Sequence, residues 1–321
     1  LNQKKLNFKK KLLPMFRTLR AIFLLIAVSC QLNAQTSTFI NSGNENLQKK
    51  NYKEALDYFN KALKENPTNI QALCGSANAQ SGLGNAQEAQ TLAEAALRQA
   101  PKSDYANYTK AEVLLAAKDY AGALNFYNTT IDINTSYFPA YVGKSKAYNL
   151  LGDVKEAYKV LDNAIAAFPS STELFLARGL LNNSKEKYSK ALDDFDKAIK
   201  LNPVTNTFAL YFNRGISYTS LEEYEPAVAD FTKAAEIDPS NANAFYSRGL
   251  ANYQLGNYDV SVKDFLKADE LNPNNPATFY NLGMAYNKLE DRDNACLYFH
   301  KSCGMKNNNA CKMIIMVCSG K

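Results

Sequence analysis

Six cysteines and a single histidine are the side chains here that could hold a metal, carry redox chemistry or titrate near neutral pH. Four of the cysteines crowd the end of the chain, at Cys296, Cys303, Cys311 and Cys318, with His300 between the first two. A zinc site needs three or four donors around one point. Cys296, His300 and Cys303 on one stretch of helix supply two or three at most, and no CxxC follows to complete the set. No metal is expected. If these segments are helical, cysteines seven apart lie about 10 Å from each other along the axis, too far for a disulfide. Any bridge must then cross between helices. The chain has no HExxH, no GxSxG, no phosphate loop and no GxGxxG following a strand. Acid pairs such as Glu222 and Glu223 read as solvated charge. The expectation is a protein that is not an enzyme and has no cofactor.

The elements that position these residues follow from composition and period. With 46% hydrophobic and 21% charged residues the 321-residue chain is globular. Its formal charge of +6 is misleading. Residues 1–34 carry Lys4, Lys5, Lys9, Lys10, Lys11, Arg17 and Arg20 and no acid; 37 bases less these seven leave 30 against 31 acids. A near-neutral remainder gives no electrostatic footprint for nucleic acid. The basic leader runs into AIFLLIAV, Ala21 to Val28, and then SCQLNAQ, the order of a secretory signal. Eight apolar residues are too few to span a bilayer, which takes about 20. Residues 1–34 are expected to be a signal peptide cleaved after Ala34, with Met15 a candidate start. A buried first helix is one alternative; lipid attachment at Cys30 is another.

Beyond the leader one 34-residue frame recurs eight times: 36–69, 70–103, 104–137, 138–171, 172–205, 208–241, 242–275 and 276–309. In the copy from Phe208 to Asn241, Tyr211 stands at position 4, Gly215 at 8, Tyr218 at 11, Ala227 at 20, Phe231 at 24, Ala234 at 27 and Pro239 at 32. Position 20 is Ala55, Ala89, Ala123, Ala157, Ala191, Ala227, Ser261 and Ala295. Position 32 is Pro except at Thr135 and Asn307. Each copy holds two apolar stripes of helical period separated by a turn. This pattern resembles the tetratricopeptide repeat, with Phe and Tyr in place of its Trp, an amino acid absent from the chain. The resemblance implies an all-α fold: a right-handed superhelical solenoid of eight helix pairs over 36–309, sixteen helices and no strands, with a C-terminal capping helix over 310–321.

Repeats five to seven carry Arg178 with Asp194, Arg214 with Asp230 and Arg248 with Asp264, at positions 7 and 23. The pairs appear and disappear together, which predicts structural ion pairs between the two helices of a repeat; a ligand-binding arginine row is the alternative. Lys110 and Lys144 occupy position 7 without an acid at 23. The resemblance further implies that a protein or peptide partner binds a concave groove formed by helix A. At its positions this chain has Tyr105, Tyr108 and Leu115 in repeat three, and Leu176, Leu180, Phe212, Ile216, Tyr246, Leu250, Tyr253, Tyr280 and Met284 in repeats five to eight. Aromatics with polar tips suit a protein partner, an apolar peptide or amphipathic helix. The basic clamp with which some family members hold a terminal carboxylate is missing: Asn213 and Asn281 stand at position 6, but Leu176 and Tyr246 occupy the lysine's place.

In an antiparallel hairpin, facing residues have a constant index sum. Cys303 with Cys311 and Cys296 with Cys318 share one sum, so a single register makes two disulfide rungs between the last helix of repeat eight and the capping helix. The inner spacing also resembles a crosslink in cysteine-rich secreted relatives of the family. Four free thiols in small core positions are the alternative. The expected function is a non-enzymatic protein–protein interaction scaffold or adaptor of a bacterial cell envelope, exported to the periplasm or outer membrane. The alternative is a structural subunit of an envelope assembly docked through its ends, suggested by the apolar run Met313 to Val317.

Overall fold

A computed structural model describes residues 34–201 and 207–319. The leader with Cys30, residue Asn206 and the last two residues lie outside them. All elements among the described residues are helical. They run α1 (34–48), α2 (Tyr52–Glu65), α3 (Ile70–Gly82), α4 (Ala86–Gln99), α5 (Asp104–Ala116), α6 (Tyr120–Ile133), α7 (Phe138–Leu150), α8 (Val154–Ala167), α9 (Thr172–Ser184), α10 (Tyr188–Leu201), α11 (Phe208–Ser220), α12 (Tyr224–Ile237), α13 (Ala242–Gln254), α14 (Tyr258–Leu271), α15 (Pro276–Lys288), α16 (Arg292–Gly304) and α17 (Asn308–Met313). Odd-numbered helices through α15 are helix A of a repeat and even-numbered ones through α16 are helix B. The chain divides into two compact units, the first ending at Val160 and the second beginning at Leu161, inside α8.

Local chemistry starts and stops these helices. Position 34 of one repeat caps helix A of the next: Asn69, Ser103, Ser171, Asn241 and Asn275 accept hydrogen bonds from first-turn amides. Such caps are each worth about 0.5–2 kcal/mol. Between helices A and B the backbone at position 15 turns left-handed in all eight repeats, at Lys50, Gly84, Lys118, Gly152, Glu186, Glu222, Gly256 and Glu290.

Packing repeats with the same period. Position 20 is fully buried in every copy, including Ser261, whose hydroxyl donates to the carbonyl of Gly249 at 2.8 Å. The ring at position 24 fills the gap between helices A and B: Phe59, Tyr127, Phe195, Phe231, Phe265 and Phe299 are all buried. A Cβ on Gly215 would sit 2.8 Å from Cε1 of Phe231, so the ring at 24 depends on the missing side chain at 8. Helix B packs on helix A of the next repeat, and helices A of neighbouring repeats also touch, α3 with α5 and α5 with α7 in the first unit, and α9, α11, α13 and α15 successively in the second.

At its end the chain departs from the expected capping helix over 310–321. The helix starts at Asn308, capped by Asn307, and from Ile314 to Cys318 it widens into a π turn. Met313, Ile314 and Val317 pack against the cluster of Ala295, Phe299 and Ala310, whereas Ile315 and Met316 are 72% and 75% exposed.

Candidate functional site

Helix A of repeats six, seven and eight carries an aromatic at position 5, and each ring rests on the buried ring at position 24. Centroid distances are 5.6 Å for Phe212 on Phe231, 5.7 Å for Tyr246 on Phe265 and 6.1 Å for Tyr280 on Phe299. These three are half-buried, as are Leu176, Ile216, Leu250, Tyr253 and Met284, while Leu180 is 37% exposed. The second unit thus presents a row of apolar side chains, partly sunk into the core and partly open. Polar tips along it are engaged: the amide of Asn281 donates to the Tyr246 hydroxyl at 2.8 Å, and the amide of Asn183 donates to the carbonyl of Asn213, also at 2.8 Å.

In the first unit the expected groove residues divide. Tyr105 and Tyr108 are half-buried, and burial raises the Tyr105 hydroxyl to about 12. Leu115 is buried in the cluster around Tyr127, which removes it from the groove. It shares that cluster with Ala111, Leu114 and Ala123, and the Tyr127 hydroxyl donates a 2.5 Å hydrogen bond to Glu112. A cavity of about 430 Å³ opens among α1, α3 and α5, lined by Asn44, Leu47, Gln48, Gln71 and Tyr105. Of these, sequence reasoning found Tyr105 alone. Polar residues at groove positions carry no hydropathy signal that separates them from ordinary surface.

Each of the three arginines sits between two partners, two acids for Arg178 and Arg214, and an acid and a threonine for Arg248. Arg178 forks onto Asp194 through Nε at 3.1 Å and Nη2 at 2.7 Å, and its Nη1 reaches Asp162 at 2.7 Å. Arg214 forks onto Asp230, both bonds 2.7 Å, and reaches Asp196 at 2.6 Å. Arg248 forks onto Asp264 at 3.0 and 2.6 Å, and its remaining nitrogen donates to Thr232. Phe175, Tyr211 and Phe245, all at position 4, lie under the guanidiniums. Burial lifts the Asp230 carboxyl above its usual range despite Arg214. The second partner stands at position 25 of the preceding repeat, so each arginine ties two repeats together. Lys110 follows the same rule. Unpaired by the sequence reading, it bonds Glu94 at 2.8 Å, and that contact lowers the Glu94 carboxyl. The forks of Arg178, Arg214 and Arg248 are thus occupied from within the protein.

At the far end of the second unit, Cys296 is joined to Cys318 with Cα atoms 5.8 Å apart, and Cys303 to Cys311 at 4.8 Å. Cys74 is free and buried, and burial pushes its thiol up to about 11. No group of three His, Cys, Asp or Glu side chains among the described residues converges to hold a metal ion, and no helix among them is long and apolar enough to cross a membrane.

Stacked helix pairs with a buried ring at 24, a small residue at 20 and interaction surfaces on helix A define a class of helical repeat protein. Three family models match: one described as tetratricopeptide repeat over 46–112 and 114–181, a second so described over 172–205 and 276–309, and one described as TPR repeat over 215–256 and 249–289. The chain belongs to the tetratricopeptide repeat family. It is 25% identical over 169 residues to a TPR repeat-containing protein of Methanocaldococcus jannaschii, covering 47% of this chain and 30% of that one. It is 33% identical over 90 residues to the DnaJ homolog subfamily C member 3 of Mus musculus, covering 28% and 18%. The chain therefore spans less than a third of the length of either relative. Among solved structures it is similar to a chain of the APC/C hetero-tetramer Cut9-Hcn1, with TM-score 0.59, 14% identity and coverage of 88% and 54%. It is also similar to a tetratricopeptide repeat protein from Parabacteroides merdae, with TM-score 0.51, 21% identity and coverage of 78% and 99%. Membership implies a protein–protein interaction scaffold, and proteins of this family are generally non-enzymatic.

Proposed function

We propose that the protein is an adaptor of a bacterial cell envelope whose second unit holds an apolar segment of a partner protein, an extended peptide or one face of an amphipathic helix. The observation that carries this reading is the row Phe212, Tyr246 and Tyr280, each ring backed by a buried phenylalanine, with Leu180, Leu250 and Met284 beside it. Rings fixed from behind lose little freedom on binding, which suits them as anchors. Export is supported by the basic and apolar leader and by the paired cysteines, which persist in oxidising compartments. Two exposed apolar residues at the C-terminal edge, Ile315 and Met316, favour a second reading in which the chain is a structural subunit docked through that end.

Photo-crosslinking side chains placed at Leu180, Leu250 and Met284 test the first reading against exposed helix-B positions Lys197 and Glu236. The adaptor reading expects one partner band from the groove positions and none from the controls. Equal yields from both sets would count against the groove, and crosslinks from 315 and 316 alone would favour the docked subunit.

A further inference from the structure

Charge is unevenly placed along the chain. From Asn294 onward there are four bases, Lys301, Lys306, Lys312 and Lys321, and no acid; the 30 bases that follow the leader less these four leave 26 against 31 acids over residues 35–293. The same stretch holds the most exposed large apolar side chains among the described residues, Ile315 and Met316, and Leu297 is 48% exposed. Leu297, His300 and Lys301 lie three and four residues apart on α16, and Lys312, Ile315 and Met316 three and four apart where α17 runs into the π turn, so each set shares one helix face. Both faces point the same way. Behind them Ala295 and Phe299 of α16 and Ala310, Met313, Ile314 and Val317 of the closing segment pack into one cluster, and the bridges Cys296–Cys318 and Cys303–Cys311 hold the two helices side by side. The hairpin thus turns outward an apolar centre of Leu297, Ile315 and Met316, rimmed by the exposed side chains of His300, Lys301 and Lys312. Tyr298 is half-buried at the edge, with the Lys301 ammonium 4.9 Å from the centre of its ring. The nearest acid on α16 is Asp293, in its first turn.

The charge around an exposed apolar patch selects what covers it. Lysine is depleted from protein interfaces, because its ammonium gives up water there. A bilayer surface takes both parts of this face at once. Apolar side chains enter the boundary between headgroups and acyl chains, while lysines stay among the phosphates, where each strengthens binding to anionic lipid about fivefold. Tyrosine suits the same boundary, with an apolar body and a wet tip. Nucleic acid would pair with the lysines but leave Ile315 and Met316 in water. Such docking needs no crossing of the membrane, for which no helix among the described residues is long and apolar enough. We propose that the outer face of the α16–α17 hairpin is a docking surface for an anionic lipid bilayer, with Leu297, Ile315 and Met316 seated among the headgroups and Lys301 and Lys312 paired with lipid phosphates. The two disulfides keep the halves of this face together. It is separate from the apolar row on helices A and does not depend on what binds there.

The probe is a set of unilamellar vesicles, of phosphatidylcholine alone or with phosphatidylglycerol as about one lipid in three. They are mixed with the oxidised chain from Gln35, which keeps the described helices, and separated by flotation. No partner protein is present, so the outcome is independent of the adaptor reading. The chain is expected to float with the anionic vesicles, about tenfold more weakly with phosphatidylcholine alone, and to be released from the anionic ones by salt. Lys301→Gln with Lys312→Gln is expected to weaken binding about thirtyfold, and Ile315→Ser with Met316→Ser about tenfold, with helical content and both disulfides unchanged in each. Lys53→Gln with Lys197→Gln removes the same charge from exposed positions on α2 and α10 and is expected to leave binding unchanged. No flotation with the anionic vesicles, equal flotation with phosphatidylcholine alone, an equal loss from Lys53→Gln with Lys197→Gln, or indifference to the serine pair would each overturn the proposal. So would a lipid-free dimer that Ile315→Ser with Met316→Ser dissolves, since a second copy of the chain would then cover this face.

Discussion

Position 15 isolates the backbone from everything else in the repeat. Gly84, Gly152 and Gly256 have φ of 84°, 86° and 81°, and a Cβ at any of them would meet no atom within 4 Å. At Gly256 the whole effect of a side chain is therefore the left-handed backbone, which costs a non-glycine residue about 1–2 kcal/mol. Gly256→Ala is expected to destabilise by about 1 kcal/mol, and Glu222→Gly, at φ 63°, to stabilise by a similar amount, both read from urea unfolding. Equal stability of Gly256→Ala and the parent would show that these turns carry no strain. The ion pairs offer a second case at this scale. Asp264 is 4% exposed and its partner Arg248 about one-fifth exposed, so Arg248→Met strands a buried carboxylate. Breaking such a pair from one side costs about 3–5 kcal/mol, while replacing both members by apolar residues is often neutral. Arg248→Met with Asp264→Leu is thus expected to be more stable than Arg248→Met alone. The arginine's forward partner was legible in the sequence, and its backward one was not. Asp194 lies 16 residues after Arg178 and Asp162 lies 16 before it, so a 34-residue period hides two partners behind one spacing. For Arg214 the two residues outside the frame, Asn206 and Thr207, stretch the backward spacing to 18.

Among elements, the helix pairs were legible because their signals recur: a small residue at 20 in all eight copies, a ring at 24 in six, and a capping side chain at 34 in most. What escaped is what occurs once. The π turn at Ile314–Cys318 lets Met313, Ile314 and Val317 reach the repeat-eight core, and no periodic signal foretells a single widened turn. Leu115 escaped for a different reason. It is buried in the cluster that also holds Leu114, Tyr127 and Ala147 of the next repeat, a tertiary fact absent from the repeat pattern. The last element also yields a prediction. A solenoid's terminal helix packs on one side only, so α17 relies on its two crosslinks to α16. In the chain-entropy picture each bridge is worth about 2–4 kcal/mol, and the 22-residue closure of Cys296–Cys318 more than the 8-residue one of Cys303–Cys311. Cys318→Ser should therefore expose Lys312 to trypsin under conditions where the parent stays intact, and Cys318→Ser with Cys311→Ser should accelerate that cut further. Cleavage at one rate in all three would mean that packing by Met313, Ile314 and Val317 holds the helix unaided.

For the molecule as a whole, charge and sulfur chemistry bear on the same proposal, that the chain works outside the cytoplasm. The seven bases of residues 1–34 stand before an apolar run, the order that a secretory leader requires. Four half-buried cysteines joined in pairs suit an oxidising compartment and would be at risk of reduction in a cytosol. Cys74 behaves differently from these four. It is fully buried beneath Tyr105, with a thiol pushed up to about 11, and so carries almost no thiolate at pH 8. Protein recovered from an envelope fraction and alkylated at pH 8 is accordingly expected to begin at Gln35 and to take up no label while folded. In urea without reductant it should gain one label, at Cys74, and after reduction four more. Intact mass spectrometry resolves each state. A cytosolic chain that retains its leader, Cys30 included, and takes six labels in urea alone would overturn both export and pairing. An N-terminus at a lipid-modified Cys30 would instead keep export and replace a freely diffusing adaptor by a membrane-anchored one, fixing its partner to the same membrane surface.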